Sequence, residues 1–266
     1  MRRYFIGTLL FLTIFLLSLE ASSKTENFYF LGIPKSGTHL LIKIIYQLDG
    51  DSFDHGNLYP HPDNFKRDYS FIKRNKDKKF VLIVRDPRDT ILSGYEFVAN
   101  GPIEHDKNPN EWDYWHLPLR NNPDYLTMTD CERMSEMVKM SPSNLLIGSS
   151  KIYTGYLVAN AVKNFHNVMI VRFEDLVGSK GGGNDEVALQ QIAELAEFLD
   201  LPQENVEYAF INSWGPKDQH GYKTFRHGVI GRWKTKFDEQ VIHDFKTYGR
   251  WNEFILEFGY EEDKNW

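Results

Sequence analysis

Residues 29–40 read YFLGIPKSGTHL, an apolar stretch followed by a small-residue turn that carries Lys35 and then by an amphipathic pattern. A strand that feeds such a turn and then a helix aims several backbone N–H groups at one point, together with the positive end of a helix dipole. A phosphate or sulfate there supplies the acceptors that the first helical turn lacks. The chemistry expected of this stretch is the handling of a nucleotide-like anion.

The loop departs from the Walker A pattern G-x-x-x-x-G-K-[ST], in which the lysine follows the second glycine and the next hydroxyl holds magnesium. Gly32 and Gly37 have the glycine spacing, but Lys35 stands two residues before the second glycine, and Thr38 and His39 occupy the Lys-Ser/Thr positions. An ordinary kinase or ATPase is weakened accordingly. It is kept as an alternative, beside a noncatalytic nucleotide-binding protein of the same fold.

Three further segments join the first: VRDPRDTILSGYEF at 84–97, VRFEDL at 171–176 and FRHGVIGRWKTKF at 225–237. With PKSGTHLL at 34–41, they resemble in order and spacing the signature regions of the P-loop sulfotransferases that use 3′-phosphoadenosine 5′-phosphosulfate (PAPS), across roughly residues 27–237. The resemblance implies an enzyme that moves a sulfuryl group from PAPS, its cosubstrate, to a hydroxyl or amine. It implies no metal.

By that resemblance Lys35, Ser36, Gly37, Thr38 and His39 grip the 5′-phosphosulfate, His39 chiefly through its backbone N–H. A compact lysine charge suits the bridging oxygen on which negative charge accumulates as the group departs. Arg85 and, eight residues later, Ser93 have the spacing of the family's 3′-phosphate site, whereas Arg88 is expected in a surface ion pair with Asp86 or Asp89. The last segment resembles the motif that closes over the 3′-phosphate. Arg226, Gly228, Gly231, Trp233 and Lys234 match it, His227 replaces a lysine, and Arg226 with the backbone of His227 and Gly228 is expected to bind.

Leu40 stands where many cytosolic members place a tryptophan against adenine; Trp214 is either the substitute stacking ring or a core residue. The family commonly draws its general base from a histidine after the second strand. His55 and His61 both fall in that interval, and His55 is favoured because it follows the apparent strand end at Phe53-Asp54. His116-Leu117-Pro118 comes on the wrong side of the Arg85 segment. Glu174 and Asp175 either orient a loop or cap the following segment.

These residues need a frame. Extended stretches at 28–33, 80–84 and 167–173 alternate with helical patterns at 37–48, 63–74, 87–99, 153–165 and 186–199, with a short extended piece near 52–53. Such alternation predicts an α/β, three-layer P-loop-type fold, a central parallel sheet flanked by helices, with ligands at the C-terminal strand ends. Proline and aromatic residues crowd 101–150, read as a long irregular insertion carrying short helices in a single domain spanning 27–262. Trp112, Tyr114 and Trp115 there either line an acceptor pocket or pack beneath the loop. The glycines of 181–183 predict a flexible loop over 179–184.

At 266 residues the chain suits one core, and 41% hydrophobic with 15% aromatic residues suits a globular enzyme. A net charge of −6 argues against nucleic-acid binding, so any anion site is a local basic cluster. Cys131 is the single cysteine, which excludes an intrachain disulfide and a Cys-x-x-Cys pair; it is expected as a small buried apolar residue. Arg2 and Arg3 precede an apolar run over 4–19, with Ala21 and Ser23 spaced for cleavage before Lys24. Residues 1–23 are therefore expected to be a cleaved signal, or else an uncleaved anchor and the chain's one membrane contact, placing the enzyme in the secretory pathway, facing the lumen or exterior. The acceptor partner is a small molecule, lipid or carbohydrate.

Overall fold

Three parallel strands bring their C-terminal ends to one edge in the computed structural model, whose described residues are 28–50, 64–99, 124, 127–142, 148–215 and 227–266. Strand β1 (Phe28–Gly32) pairs with β2 (Lys79–Val84) from Phe28↔Lys79 to Gly32↔Ile83. Strand β2 pairs with β3 (Val168–Arg172) from Phe80↔Val168 to Val84↔Arg172, giving the order β1-β2-β3 among the described residues.

Side chains alternate across each strand, and both faces are covered. Phe28, Phe30, Val81, Ile83 and Val171 enter one core, packed by α1 (Thr38–Leu48), α6 (Asp185–Leu199) and α7 (Val206–Ser213). Leu31, Phe80, Leu82, Val84 and Val168 enter the other. That second face receives α2 (Phe65–Arg74), α3 (Pro87–Ala99), α4 (Asp130–Met140), α5 (Gly148–Val162), α8 (Glu239–Thr247) and α9 (Trp251–Glu257). The fold is thus the three-layer α/β arrangement, because near-continuous β-branched strands need apolar helices on both sides. None of the helices among the described residues is long and apolar enough to cross a membrane.

Local chemistry accounts for where four of the helices begin. Asn64 accepts from the Arg67 N–H at 3.0 Å, Thr129 and Glu132 form a reciprocal capping box, Asn184 accepts from Glu186 and Val187, and Asp238 accepts from Val241. Helix α1 differs: its N-cap is Gly37, at φ 101°, with no side-chain cap.

Some expectations shift. Helix α5 begins at Gly148 and ends at Val162, earlier than the 153–165 pattern indicates, whereas α4 is a helix of the kind the 101–150 insertion is expected to carry. The glycine tract is not a loose loop: Ser179–Gly181 forms a 3₁₀ turn, Gly183 N–H donates to the Gly178 carbonyl at 2.7 Å, and Asp185 accepts from the Ser179 N–H. Cys131 is half-buried, its Sγ 3.4 Å from the Lys236 carbonyl. Residues 1–27, the extended piece near 52–53, the loop with His55 and His61, residues 101–123 and Arg226 lie outside the described residues.

Trp251 is the hub of the larger core, edge-on to Tyr153 at 4.9 Å, with its indole N–H donating to the Val138 carbonyl at 3.1 Å. Trp251→Ala is expected to destabilise the fold by about 3–5 kcal/mol in urea unfolding; a loss under about 1 kcal/mol would show that the ring is not the packing centre.

Candidate active site

The turn after β1 is built by a hydroxyl. Ser36 is fully buried, and its Oγ lies 2.7 Å from the Ile33 carbonyl and 3.1 Å from that of Ile83, while its N–H donates to Ile33. One proton shared between two carbonyls ties the turn to the end of β2. The hydroxyl of Ser36 is therefore engaged with the scaffold. Thr38 Oγ1 reaches the same Ile33 carbonyl at 3.5 Å.

Lys35 has φ 68°, an αL conformation that non-glycine residues adopt at a cost. Gly37 allows the next left-handed step, since a Cβ there would meet Phe173 Cδ2 at 2.4 Å. The N–H groups of Gly37 and Thr38 meet no acceptor among the described residues, as an anion-binding helix start requires. The Lys35 ammonium lies over the Phe97 ring, 3.1 Å from its centroid. His39 and Leu40 are half-buried on the first turn of α1, Leu40 packing against the core.

Arg85 follows the end of β2, largely buried, with its guanidinium among four neighbours. NH2 donates to the Val229 carbonyl at 2.8 Å, NH1 approaches the Lys35 carbonyl at 3.5 Å, Asp89 Oδ2 stands 3.7 Å away, and the Phe173 ring lies 4.5 Å beneath. Its Nε is buried without a hydrogen-bond partner among the described residues. The Lys35 turn, Arg85 and the loop beginning at His227 thus form one site. Ser93 lies two turns along α3, half-buried, its hydroxyl making no hydrogen bond among the described residues.

Arg88 turns the other way. It is fully buried, paired with Asp86 at 2.7 Å and Glu261 at 2.7 Å, and lies against the rings of Trp233 at 3.8 Å and Trp266 at 4.4 Å, which meet edge to face. The expected pairing with Asp86 is present. The expected surface position is not: the ion pair is internal, because two indole rings and the α3 start enclose it.

The 227–235 loop is docked on α3 by two carboxylates a helical two turns apart. Asp89 accepts from the Gly231 N–H at 2.6 Å and the Trp233 N–H at 3.0 Å, and Glu96 holds Arg232 bidentately at 2.6 and 2.7 Å. Burial raises the Asp89 carboxyl, with Arg85 and the two N–H donors pulling the other way. Burial also presses Glu96 upward, but the hydrogen bonds and charge of Arg232, with the charges of His227 and Lys236, carry it below the usual range. From the opposite side the Gly181 carbonyl accepts the Ile230 N–H at 3.0 Å, and a Cβ on Gly181 would meet the Gly228 carbonyl at 2.8 Å. The glycines read as a source of flexibility serve close approach. His227 is exposed at the loop's start.

Trp214 follows α7 and packs partly buried against the α1 core, near the Lys43 ammonium, which donates to the Gly215 carbonyl at 2.8 Å. It lies on the α1 side of the site, as a core-edge residue. Glu174, on the turn after β3, accepts from the Asp86 N–H at 2.9 Å, which makes it an orienting group for the Arg85 segment. The Tyr156 hydroxyl, buried below, donates to the Arg85 carbonyl. Asp89, Glu96, Gly181 and Phe97 were not singled out from the sequence as site residues; the one available signal was the i, i+4 step from Arg85 to Asp89 and the further seven to Glu96.

Comparison with known proteins gives this geometry a context. Residues 68–252, more than half of the chain, match the family described as sulfotransferase domain, a stretch that contains Arg85 and the 227–235 loop and follows the Lys35 turn. Sulfotransferase 6B1 of Danio rerio is 25% identical over 191 residues, 67% of this chain; the chain spans about half of that relative, 52% of its length. Mouse sulfotransferase SULT7A1, in a crystal structure complexed with PAP, aligns with a TM-score of 0.57 over 87% of this chain and 84% of its own, at 17% identity. That likeness is one of fold.

Glu174 is nearly fully enclosed, its Oε2 has no hydrogen-bond partner among the described residues, and burial lifts its carboxyl from 4.5 to about 7. A carboxyl raised on folding favours the native state while protonated, and that contribution is lost as pH rises from the unfolded value through about 7. Glu174→Gln should therefore match the parent stability near pH 4.5 and exceed it by up to about 3 kcal/mol at pH 8 in urea unfolding. A variant with no pH-dependent advantage would mean that the buried carboxylate is fully compensated.

Proposed function

The chain belongs to the sulfotransferase family, and on that premise we propose that it transfers a sulfuryl group from PAPS to a hydroxyl or amine, releasing adenosine 3′,5′-bisphosphate. The observation that carries the reading is the Arg85 guanidinium set between the Lys35 carbonyl at 3.5 Å and the Val229 carbonyl at 2.8 Å, beside an α1 N-terminus with no side-chain cap. Two cationic groups and open N–H donors on one rim suit a ligand that is anionic at both ends. The fold neighbour's bound PAP is a molecule of that kind.

In this reading Lys35 and the N–H groups of Gly37, Thr38 and His39 hold the 5′-phosphosulfate. Ser36 serves by pinning the turn, since its hydroxyl is directed at the Ile33 and Ile83 carbonyls. The acceptor oxygen or nitrogen attacks sulfur in line, the bond from sulfur to the bridging oxygen breaks, and its electron pair stays on that oxygen beside the Lys35 ammonium. The acceptor's proton passes to a histidine, His55 in preference to His61. Arg85 and Ser93, with Arg226 and the backbone of His227 and Gly228, take the 3′-phosphate. Trp214 is the stacking candidate for adenine. The Lys35 ammonium has to leave the face of Phe97 to reach the bridging oxygen, so its rest position keeps positive charge in the site until cosubstrate arrives.

The acceptor belongs to the small-molecule, lipid or carbohydrate class. The apolar run over 4–19 behind Arg2 and Arg3 supports delivery to the secretory pathway.

Labelled-sulfate transfer separates the roles. Lys35→Ala is expected to lower kcat by about 100-fold or more with little change in bisphosphate affinity, whereas Arg85→Ala is expected to raise KM for PAPS by about 10- to 100-fold. Wild-type turnover in the lysine variant on an established acceptor would refute the assignment. A metal-dependent turnover of ATP by the purified chain, with no sulfate transfer, would favour a kinase instead.

A further inference from the structure

Resting on the PAPS reading, we infer that Asp89 is a positioning residue for the 3′-phosphate pocket: its buried carboxylate docks the 231–233 backbone on α3 and thereby orients the Arg85 guanidinium. Asp89 is the third residue of α3, where a carboxylate ordinarily serves the N–H groups of its own first turn. Here it reaches to another part of the chain. Each oxygen takes one backbone donor, Oδ2 from Gly231 at 2.6 Å and Oδ1 from Trp233 at 3.0 Å.

Those two bonds fix where Val229 lies, two residues before Gly231, and the Val229 carbonyl holds Arg85 NH2 at 2.8 Å. The same Asp89 oxygen that takes Gly231 stands 3.7 Å from NH2. One carboxylate therefore acts on the guanidinium twice, once as a counter-charge and once through the loop. Orientation matters because a guanidinium offers its donors in a planar fork, and a phosphate accepts them well only in that plane. With NH2 held by the Val229 carbonyl, the plane of the fork is set before a ligand arrives.

The loop is also held, among the described residues, by the Glu96 pair with Arg232 and the Gly181 carbonyl on Ile230. Neither touches Arg85. Asp89 is the member of the set that meets both the loop and the guanidinium, and it is 1% exposed, so water does not replace it easily. Without it the Gly231 and Trp233 donors lose their acceptor, and Arg85 loses its nearest carboxylate.

Calorimetry of the full chain with adenosine 3′,5′-bisphosphate and with adenosine 5′-monophosphate tests this. Asp89→Asn keeps the shape but not the charge or the second strong acceptor. It should weaken bisphosphate binding about tenfold or more and leave the monophosphate within about twofold, with turnover at saturating PAPS within about threefold of the parent. Parallel loss of both ligands would mark a merely structural residue, and no loss of either would remove the role; each overturns the inference. If the parent chain itself fails to prefer the bisphosphate, the PAPS reading falls and takes this inference with it, an outcome seen before any variant is made. Should Asp89→Asn not fold, Asp89→Glu keeps the charge but displaces the two acceptor oxygens: a selective bisphosphate loss of about threefold or more supports the coupling, and unchanged selectivity overturns it.

Discussion

A guanidinium ion enclosed at the end of a parallel strand sets the terms for what surrounds it. Buried charge is tolerated only where neighbours answer it, and Arg85 is answered by groups from separate stretches of chain: the Lys35 carbonyl, Asp89, the Phe173 ring and the Val229 carbonyl. The segments around it are in turn held. Ser36 ties the Lys35 turn to β2, Glu174 holds the Asp86 N–H, Tyr156 holds the Arg85 carbonyl, and Asp89 holds the loop. The arrangement is rigid because the same few atoms serve both the scaffold and the cleft.

The two arginines of the RDPRD stretch show how three residues of separation decide a role. Arg85 leaves the strand toward the cleft. Arg88, already in the first turn of α3, points to the side where Trp233, Trp266, Asp86 and Glu261 enclose it. Its charge then stabilises the base of the loop that Arg85 meets at the tip. One strand-to-helix junction supplies a ligand-facing cation and a structural one, and the parallel sheet makes this possible by ending every strand at the same edge.

Much of this was legible beforehand. The β-branched runs of β2 and the apolar spacing of Leu41, Ile44, Ile45 and Leu48 are patterns that local physics alone imposes, and the glycine and lysine spacing of the turn after β1 marks an anion site in the same way. What stayed hidden depends on distant contacts. Nothing near Asp89 in the chain indicates that its acceptors will meet donors of Gly231 and Trp233, and nothing near Ser36 indicates that its hydroxyl will turn inward to Ile83 rather than outward. The start of α5 was misjudged because Gly148 to Lys151 lacks a strong apolar period, and tertiary packing under Ser149, Ser150 and Ile152 extends the helix. His55 and Arg226, on which the base and part of the 3′-phosphate assignment depend, lie outside the described residues.

The glycine tract bears on how this protein could be engineered. Replacing glycines in a surface loop by alanine is a common route to a more heat-resistant variant, since it narrows the unfolded ensemble. At Gly181 that route is closed, because the new methyl would press on Val177 at 2.6 Å and on the Gly228 carbonyl at 2.8 Å. A thermostabilisation programme that treated 181–183 as an idle linker would therefore wedge apart the two loops that frame the cleft, trading affinity for a rigidity the segment already has.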